Sequence, residues 1–173
     1  MFDTQRFREV VEPAARPAVE IPWNQVEADL GHELPSDYKW LVENYGPGTI
    51  DGFLEVLQPV TKFAPIRLQS RVARSREILQ AYVDHGEVIP ADPSELVAVA
   101  VTDNGDTVYW VARPQHAPDR WTIALNSARN DVWEFFDGGI VPFLTATLTR
   151  EVTFSSFPRN FPERIPATFT AHA

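Results

Sequence analysis

The chain has 173 residues, 44% hydrophobic and 23% charged, a balance that excludes intrinsic disorder and leaves room for one domain with a real core. Fifteen Lys+Arg against 24 Asp+Glu give a net charge of −9. Such a surface repels nucleic acid; it either steers a basic protein partner or simply keeps the chain in solution. Zero cysteines exclude disulfides, thiolate catalysis and Cys-based zinc sites, and fit a reducing cytoplasm.

Residues 1–21 read as an irregular or weakly helical leader, broken by Pro13 and Pro17. Its charges (Arg6, Arg8, Glu9, Glu12, Arg16) leave no apolar stretch of the kind a secretory signal needs. No apolar run along the chain is long enough to span a membrane. Pro22 stands where a first helical residue should, Trp23, Val26 and Leu30 follow at helical spacing, and Gly31 supplies the stop. The second helix repeats this grammar: Pro35 opens it, Tyr38, Leu41, Val42 and Tyr45 form one apolar face, and Gly46-Pro47-Gly48 ends it. Trp40 lies off that face, which makes it either an interface anchor or a residue packed beneath the leader.

Ile50 to Leu57 reads as a strand with Gly52 as a bulge and Pro59 as its end. Leu68, Val72, Leu79 and Tyr82 predict a helix within 66–84. Arg67, Arg71 and Arg74 on another of its faces either meet an anion or are solvated. Leu96 to Val101 is a continuous apolar run, the mark of a central strand covered on both sides. Asp103-Asn104-Gly105-Asp106 predicts a tight type I′ hairpin turn. It resembles a calcium loop only superficially, lacking the further oxygen ligands and the closing Glu. Val108-Tyr109-Trp110-Val111 forms the return strand, Trp121, Ile123 and Leu125 alternate along a third, and Val132 to Phe136 forms a fourth that Gly138-Gly139 ends. Val141, Pro142, Leu144 and Leu148 predict a final amphipathic helix. Residues 150–173 carry Phe154, Phe157, Phe161 and Phe169 among prolines; they read as a tail packed on the body, with a docking peptide as the alternative.

No catalytic motif emerges. His32, His85, His116 and His172 lack metal-ligand spacing, and no phosphate loop, dinucleotide fingerprint or nucleophile elbow is present. Neither a metal nor a cofactor is expected. A carboxylate pair for hydrolysis leaves no sequence signature, so a hydrolase stays open as a distant alternative.

Leu34-Pro35-Ser36-Asp37-Tyr38-Lys39, Tyr45-Gly46-Pro47-Gly48, Ile50-Asp51-Gly52-Phe53-Leu54 and Leu57-Gln58-Pro59, in that order, resemble the SUKH superfamily. Thr102 to Asp106 leading into Tyr109-Trp110 resembles its central hairpin. The resemblance runs from about Trp23 to Leu148 and implies an α+β fold with a central, mainly antiparallel sheet flanked by helices. The domain would then span 22–149, between the 1–21 leader and the 150–173 tail. The superfamily includes bacterial immunity proteins and fungal cell-wall assembly regulators, so the resemblance implies a protein-binding module without catalytic residues. The first role it implies is neutralising a cognate toxin domain of nuclease or deaminase type; a regulatory scaffold without a toxin is the alternative.

An inhibitor of a basic enzyme should present acidic groups on loops and strand ends. Asp103 and Asp106 at the hairpin tip, with Asp131, Glu134 and Asp137 around the last strand, form the densest such set and are the expected partner-binding residues, with Trp40 as a further candidate. Turn chemistry alone also accounts for these Asp positions.

Overall fold

The computed structural model describes residues 2–14 and 19–172; Arg16 and Pro17 of the leader lie outside the described residues. The fold is α+β. Helix α1 spans Thr4–Val10, α2 Trp23–Leu30, α3 Ser36–Tyr45, α4 Leu68–Asp84 and α5 Ile140–Leu148. Strands β1 (Gly48–Ile50), β2 (Leu54–Val56), β3 (Leu96–Thr102), β4 (Thr107–Val111), β5 (Thr122–Asn126), β6 (Trp133–Phe136) and β7 (Phe169–Ala171) form one antiparallel sheet. Its spatial order is β6-β5-β4-β3-β2-β1-β7. The apolar run 96–101 thus occupies the middle strand, and every residue of β3 is buried.

Neighbouring residues on a strand point to opposite faces, so the two sides of β4 identify the layers. Trp110 meets Tyr38 of α3 at 4.9 Å between ring centroids. In register with it across the sheet lie Ile123 and Phe136, and Phe136 packs on Phe143 of α5 at 5.8 Å. Tyr109, on the other face, lies against Ser75 and Tyr82 of α4. Helices α3 and α5 therefore cover one face and α4 the other, which is why β3 reads as apolar throughout rather than alternating.

Four expectations need correction. The leader contains a true helix: the Asp3 carboxylate caps α1 by accepting the Arg6 N–H at 2.9 Å, and Phe7 and Val10 are buried. Ile50–Leu57 is not one bulged strand but a hairpin. Asp51 and Gly52 both take positive φ, and the Phe53 N–H closes the turn on the Ile50 carbonyl at 3.0 Å. The 103–106 turn is not type I′, because only Gly105 has positive φ and its N–H bonds the Thr102 carbonyl. That is a type I turn followed by a left-handed residue, the three-residue alternative for such a hairpin. Finally, α5 is buried nearly all round instead of amphipathic, since α1 packs on the side that the sheet leaves open.

Residues 150–172 lie against this body. Phe154, Phe157 and Phe161 are buried, and Phe53 meets both Phe157 (5.3 Å) and Phe161 (4.9 Å). The Asp51 carboxylate accepts the N–H groups of Glu163 (3.0 Å) and Thr168 (2.6 Å). Strand β7 then pairs with β1 and forms the edge of the sheet on that side.

Candidate functional site

The two Asp residues of the hairpin turn separate. Asp103 is exposed at the tip. Asp106 is only 4% exposed and does not face outward as expected. Its Oδ2 accepts the Thr102 hydroxyl at 2.8 Å and its Oδ1 accepts the Ala128 N–H at 3.1 Å. It is an internal tie between the β3–β4 and β5–β6 turns.

Strand β6 forms the opposite edge of the sheet from β7. In the β5–β6 connection, the Ser127 N–H donates to the Val132 carbonyl at 3.0 Å. Antiparallel ladders alternate hydrogen-bonded and non-bonded pairs. Glu134 and Phe136, paired with Leu125 and Ile123, therefore turn their backbone groups inward. Trp133 and Phe135 turn theirs to the free edge. The side chains of these two residues share the α4 face, in register with Asn126 and Ala124. Trp133 is half-buried: its ring lies 5.8 Å from that of Tyr109, and its Nε1–H donates to Asn130 Oδ1 at 3.0 Å. Phe135 is 59% exposed. Asn130 also donates to the Glu87 carboxylate, which joins the segment after α4 to the start of β6.

Asp131 and Asp137 flank this strand, and both are exposed. The Ser127 hydroxyl bonded to Asp131 holds its carboxyl below the usual Asp range. Glu134 behaves differently. Its side chain lies on the opposite face from Phe135, where Oε1 accepts the Ser155 N–H at 2.8 Å and Oε2 accepts the Ser156 N–H at 3.3 Å. It fastens residues 150–172. Trp40 is likewise occupied: its ring packs against Phe2 (5.8 Å), Phe7 (6.0 Å) and Tyr45 (6.0 Å), and the Arg8 guanidinium lies 5.6 Å from its centroid. It seats α1, the second of the two readings given to it. From the six sequence candidates, Asp103, Asp131 and Asp137 remain outward-facing acidic groups. Phe135 joins them. The signal for it was the aromatic content of Trp133-Glu134-Phe135-Phe136 on both faces of a strand that alternation should make one-sided.

Other polar groupings have structural partners. Asp37 and Asp119 border one small pocket, yet Asp37 Oδ2 accepts the Val141 N–H at 3.0 Å and Asp119 Oδ1 accepts the Ser36 N–H at 2.6 Å. A cleft of about 510 Å³ beside Glu134 sets one carboxylate against Arg150 and Arg159, not the carboxylate pair of a glycosidase. Glu55 and Thr49 both approach Nε2 of His172, so that ring is not strung between two partners as a proton relay requires. Arg74 pairs with Glu77 at 3.2 Å and Arg67 bonds the Thr61 carbonyl, so two of the three arginines of the basic stripe have local partners. Among the described residues, no group of three His, Cys, Asp or Glu side chains is placed to hold a metal ion, and no helix is long and apolar enough to cross a membrane.

A family model described as SUKH_6, SMI1-KNR4 cell-wall, matches residues 22–139, more than half of the chain. No curated protein and no solved structure matches it.

Proposed function

Since the chain belongs to the SMI1-KNR4 cell-wall family of the SUKH superfamily, we propose that it is a protein-binding module acting as an immunity protein, one that docks on and neutralises a basic toxin domain in the cytoplasm. The observation that carries this reading is the open β6 edge. An edge strand is a ready template for another chain, and proteins ordinarily shield it. Of the two edge strands, β7 is 3 residues long and carries no acidic side chain, while β6 presents Phe135 between Asp131 and Asp137. With a net charge of −9 behind it, that surface attracts a cationic partner and speeds encounter. Asp103, on the neighbouring hairpin, extends the same acidic character.

The second reading, a regulatory scaffold for cell-wall assembly, draws on the description of the matched family. Co-expression separates the two. The product of the adjacent reading frame, if basic and toxic, should arrest growth alone and be tolerated when this chain is present, and the two should form a stable complex. A neighbouring product that is neither bound nor tolerated would reject the immunity reading.

A further inference from the structure

We propose that the β6 edge captures its partner by strand addition: a basic, extended segment of the partner becomes an eighth strand beside Trp133 and Phe135. The proposal rests on the reading of β6 as the docking surface and specifies how that surface works. Three observations carry it. The backbone N–H and C=O groups of Trp133 and Phe135 face outward, and among the described residues no element pairs with that edge. The same two residues carry their side chains on one face, so an added strand would lay alternate apolar residues against the 59%-exposed Phe135 ring and the half-buried Trp133. Asp131 precedes the strand and Asp137 follows it, both exposed, which selects Lys or Arg at the two ends of the incoming segment. The same pair of acids opposes self-association, since a second copy would bring like charges together across the edge.

Main-chain bonds supply affinity in this mode and alternate side chains supply selectivity. A capped probe peptide of alternating valine and threonine with two lysines at each end reproduces the required chemistry. A matched peptide with N-methylated valines keeps its side chains and charge but loses the N–H groups that would bond β6.

Titrating both peptides into the full chain, with amide NMR and hydrogen exchange as readouts, tests the proposal. The unmodified peptide should slow exchange at the Trp133 and Phe135 amides by about tenfold or more while leaving Glu134 and Phe136, already bonded inward, little changed. N-methylation should weaken binding at least about tenfold, and F135K should do the same while keeping native signal dispersion. Equal binding of both peptides at this surface would overturn strand addition while leaving the surface itself as the docking site. Failure of the unmodified peptide to reach Trp133 and Phe135, or concentration-dependent protection of those amides in the protein alone, would overturn the proposal as well. Neither result bears on toxin tolerance in the co-expression assay, so the two readings fail separately.

Discussion

Glu134 and Ser155 are joined across 21 positions of sequence: the carboxylate on strand β6 accepts the backbone N–H of Ser155 at 2.8 Å, with Ser156 bonded beside it. The one acidic side chain within β6 therefore holds residues 150–172 on the body and leaves the free edge of the strand to its neighbours.

Charge reversal at this position should act on stability. E134K strands two backbone N–H groups and a hydroxyl, a loss of about 1–2 kcal/mol. The melting temperature should fall by about 3–6 °C, and cleavage between 150 and 168 should quicken under limited proteolysis. An unchanged melt and cleavage pattern would show that this fastening contributes nothing.

Asp37 gives stability a specific pH dependence. The residue is 6% exposed, and its burial raises the carboxyl pKa above the ordinary Asp value despite the backbone N–H groups of Val141, Tyr38 and Ile140; Asp119 adds repulsion. The folded state binds this proton more tightly than the unfolded chain. Its stabilisation is complete below the usual Asp range, near about pH 4, and is lost as pH rises through the raised value. D37N keeps an oxygen for the Val141 N–H without the charge. The stability of the wild type relative to D37N, from urea unfolding, should decline between pH 4 and pH 7. A constant difference would contradict the assignment.

Gly139 is required by the same carboxylate. A Cβ there would stand 2.4 Å from Asp37 Oδ2 and 3.1 Å from its Cγ. G139A should cost about 2–3 kcal/mol, the scale of a buried clash. In a D37A background the obstruction is gone, so the same substitution should cost markedly less. Equal costs in the two backgrounds would place the strain elsewhere.

Trp40 should behave as the seat of α1 and not as part of the interface. W40A removes the ring that Phe2, Phe7, Tyr45 and Arg8 share, and should destabilise the protein by about 2 kcal/mol. Partner affinity measured on the folded variant should match the wild type. A stable variant with weakened binding would return Trp40 to the interface.

Local rules made much of the fold legible in the sequence. Pro22 and Pro35 each stand one position before a helix, and the unbroken 96–101 run lies in the central strand because both faces of the sheet are covered there. Misreadings arose where one residue permits two geometries. Gly52 fits a bulge, yet Asp51-Gly52 is also a hairpin signal, and Gly105 supports either of two turns. The site was less legible, because exposure depends on contacts distant in sequence. Nothing near Asp106 announces that Ala128 will bury it, and nothing near Glu134 announces Ser155. The exposed face of Phe135 becomes visible only once β6 is known to be an edge.

Association kinetics test the central claim, that a basic partner docks at β6 between Asp131 and Asp137, most directly. The rate is measured between this chain and the basic toxin domain proposed as its partner, across ionic strength, for the wild type and the D131K/D137K double variant. Both side chains are exposed, so the melt should hardly move. The wild-type rate should fall steeply with salt, and the double variant should associate about tenfold more slowly at low salt with a flattened dependence. Wild-type rates in the double variant at every ionic strength would contradict the account and move the interface away from β6.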